Sequence, residues 1–221
     1  PPPPEPASGA PVSARPECLV LTPLSSATFM SGLDFSIVPA ALPASGAAPG
    51  FSSAGALQWV ATASLLPSAS LLPLFARVAD LIGRKRLFTL GVAVFTLFSL
   101  GAALANSPGM LIAARIGQGT AAAMIAPSAI ALMTGYFQEG PKRARALGLN
   151  GAVMSLGFVF GALGGGVITN GCSWRWTMVA LCVMGALALA GALALPAIHE
   201  SGAARRMDIP GAILATLGLF G

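Results

Sequence analysis

Six stretches of this chain stay apolar and almost uncharged for about 20 residues each, the length a helix needs to cross a hydrocarbon core. They run roughly over 18–42, 57–76, 87–105, 110–137, 146–169 and 176–197, and a seventh starts near residue 209. The runs are continuous rather than alternating, and lipid offers no partner to a backbone N–H or C=O, so each must be a helix that closes its own hydrogen bonds. Only 9% of the 221 residues are charged, against about a quarter in a water-soluble domain, so most of the surface must face lipid. The expected class is an all-α integral membrane protein. It comprises an N-terminal bundle of six helices over 18–198, a cytoplasmic loop over 199–208 and the start of a seventh helix over 209–221. Residues 1–17, PPPPEPASGAPVSARPE, are proline-rich without an apolar face and read as a disordered tail. The first residue is not methionine and the seventh run is cut short, so the sequence reads as part of a longer chain.

The connections set an orientation, because short loops rich in Lys and Arg stay in the cytoplasm. Arg84, Lys85 and Arg86 follow the second run, Lys142, Arg143 and Arg145 the fourth, and Arg205 and Arg206 the sixth. The alternate loops are nearly bare: FSSAG at 51–55 and NSPG at 106–109 carry no charge, and the turn after the fifth run carries only Arg175. The N-terminus is therefore expected in the cytoplasm, in a multi-pass protein of the plasma membrane such as the bacterial inner membrane. The net charge of +5 is then a topology signal. No basic and aromatic module points to nucleic acid as a partner.

Two charges fall inside the apolar runs, where an ionisable group is costly and marks function by default. Asp34 lies near the middle of the first, in SGLDFSIVPAALP, and Arg115 in the first turns of the fourth, in LIAARIGQGTAAA. Low dielectric favours the neutral form of a carboxyl group, so an aspartate there can load and release a proton as its surroundings open and close. An arginine stays charged and is suited to anchoring a hydrogen-bond network or biasing a nearby acid. Two plainer readings stand beside these: an aspartate paired locally near one interface, and an arginine snorkelling to the outer surface.

The fifth run, GAVMSLGFVFGALGGGVITNG, places Gly157, Gly161 and Gly165 on one helical face, with Gly164 and Gly166 beside them. Such a face lets another backbone approach closely, whether as fixed packing or as a moving contact. Gly117, Gly119 and Ala121 to Ala123 add small residues around Arg115 in the fourth run. Cys18, Cys172 and Cys182 lack metal-ligand spacing and His199 has no partner in sequence, so no metal or cofactor is expected. With no phosphate loop and no nucleophile elbow, an enzyme is not expected either.

The stretch RVADLIGRKRLF, at 77–88, concentrates four of the twelve basic residues in the turn after the second run. With its neighbours it resembles the signature of the major facilitator superfamily, approximately G-x-L-A-D-R-x-G-R-K, through Ala79, Asp80, Gly83, Arg84 and Lys85. Ala76 stands where the family has glycine and Leu81 where it usually has a basic residue. Three further matches resemble one branch, the drug–proton antiporters with fourteen spans. LDFSIVPAALP is similar to L-D-x-T-I-V-N-V-A-L-P at Leu33, Asp34, Ile37, Val38, Ala41, Leu42 and Pro43, with Ser36 and Pro39 replacing threonine and asparagine. LIAARIGQGTAAA is similar to L-x-x-x-R-x-x-Q-G-x-G-A-A at Arg115, Gln118, Gly119, Ala122 and Ala123. GFVFGALGGG resembles G-x-x-x-G-P-x-x-G-G at Gly157, Gly161, Gly165 and Gly166, with Ala162 in the place of the proline.

The resemblance implies a secondary active transporter that exports drugs or small metabolites against protons by alternating access. Asp34 and Arg115 would take part in proton coupling, and Asp80, Gly83, Arg84 and Lys85 in a cytoplasmic latch that stabilises one access state. The small-molecule substrate would bind near mid-membrane against a second wall supplied by a C-terminal half absent from these 221 residues. A facilitator importing a small solute, or a membrane protein that does not transport, shares part of this pattern.

Overall fold

The computed structural model describes residues 17–45 and 54–195. The expectations for the tail over 1–17, for the loop over 199–208 and for the seventh run fall outside these residues, as do His199, Arg205 and Arg206, except that Glu17, the last residue assigned to the tail, is the first of a helix. Among the described residues the regular elements are all helices: α1 (Glu17–Ser45), α2 (Ala54–Ser70), α3 (Leu72–Ile82), α4 (Arg84–Ala103), α5 (Pro108–Tyr136), α6 (Pro141–Gly171) and α7 (Arg175–Ala194). By length and composition α1, α4, α5, α6 and α7 can each cross a membrane, and α2 with α3 makes a sixth crossing if the pair is one span.

That second span departs from the single helix expected over 57–76. It bends by 52° between α2 and α3 and runs on to Ile82. Pro67 lies inside α2 and Pro73 in the first turn of α3. Proline removes a backbone donor and crowds the preceding turn, which is the usual cause of so sharp a kink. At the far end of α3, Gly83 adopts φ +97°, and Gly140 before α6 adopts φ +136°. Both lie where a side chain is strained, so glycine lets the chain reverse in a single residue there. At the other end of the bundle, Ser107 caps α5 by accepting from the Met110 N–H at 3.3 Å, with Pro108 as the first helical residue.

The helices pack in the order α6, α1, α7, α4, α5, α2, with α3 continuing along α5, and α1 and α5 touching across the centre. Exchanging the first span with the fourth, the second with the fifth and the third with the sixth maps this order onto itself. The contact between α1 and α5 lies on the axis of that exchange. Core side chains include Leu24 and Met30 of α1, Phe88 and Phe95 of α4, Leu132 and Met133 of α5, and Leu181 of α7. Large apolar side chains also cover the outside, Leu156, Phe160, Leu163 and Val167 of α6 among them. Lipid is as apolar as leucine, so what selects the inward faces is small size and polarity rather than hydrophobicity.

The α1–α6 contact illustrates this selection. A Cβ added at Gly157 would lie 2.3 Å from the Phe29 carbonyl oxygen, and one at Gly161 would lie 2.1 Å from Ser36 Oγ and 2.5 Å from the Leu33 carbonyl oxygen. At Gly165 it would meet the Ile37 carbonyl oxygen at 2.9 Å, and from the α1 side Gly32 would meet that of Met154 at 2.3 Å. The two helices therefore run parallel with their backbones in contact. Gly164 and Gly166 do not share in it, since a Cβ at either meets nothing within 4 Å. One end of the bundle gathers the basic loops. Lys142 of α6 bridges Glu17 of α1 at 2.8 Å, and Lys85 of α4 donates to the Leu195 carbonyl at the end of α7. At the opposite end Arg175 donates to the Ala103 carbonyl and to Asn106 Oδ1, both at 3.3 Å.

Gly161→Leu is expected to force α1 and α6 apart and to destabilise the detergent-solubilised protein by about 1–3 kcal/mol or more, the usual cost of overpacking. Gly164→Ala should be neutral or slightly stabilising, by up to about 1 kcal/mol from helix propensity. Thermal unfolding of the two variants side by side checks the pair.

Candidate functional site

Where α1 meets α5, the two membrane-embedded charges meet each other. Arg115 Nη1 donates to Asp34 Oδ1 at 2.5 Å, with side-chain exposures of 2% and 6%. The partners are 81 residues apart in sequence, so the carboxylate is paired across helices rather than locally. Arg115 does not snorkel: it is the largest fully buried side chain among the described residues. Gly117 and Gly119 on its own helix let neighbouring helices approach closely beside it. A Cβ at Gly117 would strike the Phe98 ring at 2.4 Å, and one at Gly119 would lie 2.1 Å from the Ser64 carbonyl oxygen.

The remaining guanidinium donors recruit further helices. Nη1 also donates to Gln118 Oε1 at 2.8 Å, one turn along α5, and Nη2 donates to Ser64 Oγ of α2 at 2.6 Å. Gln118 in turn donates through Nε2 to Ser99 Oγ of α4 at 2.8 Å, and Ser99 donates to the Phe95 carbonyl of its own helix at 2.8 Å. All five polar side chains are buried. The network thus ties α1, α2, α4 and α5 together around one ion pair. The Arg115 Nε–H is buried without a partner. A buried pair of this kind is stable only while both ions face each other, because a lone buried charge costs several kcal/mol.

The sequence singled out Asp34, Arg115, Gln118 and Gly119, and the structure brings all four to this place. Ser64 and Ser99 were not singled out. A serine in an apolar run is a common small packing residue, and nothing in its neighbours along the chain reveals that it faces an arginine on another helix.

The residues of the charged turn form a separate cluster. Arg84 Nη2 reaches Asp80 Oδ1 at 3.3 Å, with both side chains well exposed, and Arg84 Nη1 donates to the Ala131 carbonyl of α5 at 3.2 Å. An exposed pair of this type contributes little stability by itself. Its effect is positional: with Gly83 setting the turn, Arg84 on the Ala131 carbonyl and Lys85 on the Leu195 carbonyl just after α7, the turn holds the ends of α3, α4, α5 and α7 together. The glycine set divides, with Gly157, Gly161 and Gly165 against α1 and Gly166 outside that contact. Cys18 and Cys172 are exposed, Cys182 is partly buried, and none of them is in a disulfide.

The sequence matches the Major Facilitator Superfamily over residues 24–217. It is 45% identical over 197 residues to the cephamycin export protein CmcT of Amycolatopsis lactamdurans, covering 88% of this chain and 40% of that protein. It is 40% identical over 199 residues to the puromycin resistance protein pur8 of Streptomyces alboniger, covering 90% and 39%. To the multidrug resistance protein Stp of Mycobacterium tuberculosis it is 36% identical over 202 residues, covering 90% and 37%. The chain therefore spans about two fifths of the length of the curated relatives it matches. Apolar helices able to cross a membrane several times, in a packing that relates three spans to three, agree with that match, and the chain belongs to the major facilitator superfamily.

Proposed function

We propose that this chain is the N-terminal bundle of a multidrug or metabolite exporter driven by proton exchange, with fourteen spans and a cytoplasmic N-terminus in the bacterial inner membrane. The observation that carries the reading is the buried Asp34–Arg115 pair. Structural packing alone rarely retains an ion pair in the membrane, since well-packed apolar residues are often as stable or more so. The printed names of the relatives, one an export protein and two resistance proteins, support the outward direction.

In this mechanism a proton entering from outside neutralises Asp34. The attraction to Arg115 falls, while Gln118 and Ser64 keep hold of the guanidinium. The contact between α1 and α5 loosens at the centre of the bundle, and the equilibrium between inward and outward access shifts. Substrate leaves in exchange, from a site near mid-membrane between this bundle and its C-terminal counterpart. The Asp80–Arg84 turn weighs the balance of states from the cytoplasmic end, and the glycine-lined α1–α6 contact gives α1 a close, sliding neighbour.

In the full-length protein, Asp34→Asn is expected to reduce pH-gradient-driven efflux to background while the protein still inserts; uptake assays in inverted vesicles test it, and unchanged transport removes Asp34 from coupling. Asp80→Asn should slow turnover by about tenfold, or ~1.4 kcal/mol on the barrier, measurable as exchange at saturating substrate. Arg115→Ala should lower thermal stability by about 3–5 kcal/mol by leaving a buried carboxylate unpaired. The double variant Asp34→Asn with Arg115→Gln should lose less, and a double-mutant cycle on detergent-solubilised protein compares them.

A further inference from the structure

Ser64 occupies an unusual position in the second span. Its hydroxyl accepts from Arg115 Nη2 at 2.6 Å. Its backbone lies so close to α5 that a Cβ at Gly119 would fall 2.1 Å from the Ser64 carbonyl oxygen and 2.8 Å from its Cα. Main chain and side chain of one buried residue are therefore both held by α5, the helix that carries the arginine. The same span is held a second time at its inner end, where α3 brings Asp80 to Arg84 and Arg84 reaches the Ala131 carbonyl, again on α5. Between the two points of attachment lies the 52° bend, flanked by Pro67 and Pro73. Helical hydrogen bonds persist on both sides of the apex, from Leu71 N–H to the Pro67 carbonyl at 3.0 Å and from Phe75 N–H to the Leu71 carbonyl at 2.9 Å. Pro67 and Pro73 each lack a donor, however, and a proline-flanked kink absorbs rotation more readily than the straight helices around it.

We infer that Ser64 is a positioning residue that passes the state of the Asp34–Arg115 pair to the inner half of the second span, and so to the Asp80 turn. The inference rests on the proton-coupling reading of that pair and deepens it by naming the route. When Asp34 is ionised, Arg115 is drawn toward α1 and Ser64 is held at one end of its reach. When Asp34 is neutral, the guanidinium is left with Gln118 and Ser64 as its acceptors, and α2 follows its movement. The bend converts that small displacement of α2 into a change in how α3 lies on α5. Because Gly119 leaves no gap between α2 and α5, the movement is a slide or rotation of α2 against α5 rather than a separation.

The test uses the full-length protein, made free of native cysteines and carrying Leu81→Cys on the exposed last turn of α3 as reporter. The labelling rate by a membrane-impermeant maleimide in inverted vesicles is compared with and without Asp34→Asn, in backgrounds with Ser64, with Ser64→Ala and with Ser64→Thr. Asp34→Asn is expected to change the rate about fivefold or more, the lower range of a typical coupling, when residue 64 is Ser or Thr. In the Ser64→Ala background the change should fall to less than about twofold, below that range. Equal responses in all three backgrounds would overturn the inference and leave proton coupling at Asp34 intact. Loss of the response in folded Ser64→Thr as well as Ser64→Ala would also overturn it, because packing rather than the hydroxyl would then be responsible. No response to Asp34→Asn even with Ser64 in place, together with unchanged efflux, would remove the proton-coupling reading itself and the inference with it. Should Ser64→Ala fail to fold, Ser64→Gly serves the same arm.

Discussion

A guanidinium with 2% of its surface exposed is the constraint around which this bundle is arranged. Arg115 cannot be placed there alone, and it cannot reach water, so the helices around it must supply acceptors. Asp34 supplies the charge, Gln118 and Ser64 the neutral oxygens, and Ser99 orients Gln118 from the third span. Asp34 fixes α1, Ser64 fixes α2 and Ser99, through Gln118, fixes α4 against α5 in translation and in rotation. Hydrophobic burial could not do this, because the helices are apolar on the lipid face as well as the inner one. Specificity of packing in this protein comes from a handful of polar atoms and from the glycines that let backbones close around them.

Those two devices serve different contacts. The α1–α6 contact is built from glycine facing backbone, with no interhelical ion pair between their membrane-spanning parts among the described residues, and it is smooth along its length. The α1–α5 contact is local, centred on one ion pair. Under the proposed mechanism, a helix held on one side by a single ion pair and on the other by a smooth surface is well placed to shift as a body. The exchange of spans that maps the packing onto itself puts the ion pair on its axis and the α1–α6 and α2–α5 contacts in equivalent places to either side.

The sequence carried the helices well, because lipid forces the relation between apolar length and helix that water does not. The ends of α4, α5 and α7 lie within a few residues of the expected runs. The bend in the second span was legible in part: Pro67 and Pro73 are among the prolines expected to kink or end spans, but so is Pro127, which lies inside an α5 that continues from Pro108 to Tyr136. The site was legible in part for the same reason. Asp34 and Arg115 stand out against an apolar background, whereas Ser64 and Ser99 do not, because a small hydroxyl residue costs little in a membrane helix and carries no sign of which neighbour it will meet. Nor did spacing alone separate Gly161, which packs on α1, from Gly166 five residues further on, where an added Cβ would meet nothing within 4 Å.

The 81 residues between Asp34 and Arg115 also set a problem for biogenesis. The first helix leaves the ribosome with a carboxylate near its middle and no cation to meet it until the fourth span has been made. Placing an aspartate at the centre of a span disfavours insertion by about 2.5–3.5 kcal/mol, so the apolar residues around Asp34 must outweigh that penalty unaided. The glycine face that α1 presses against arrives later still, with α6. During synthesis α1 is thus an early helix whose neighbours α5, α6 and α7 are all late, and its final seat is settled only when the sixth span enters the bilayer.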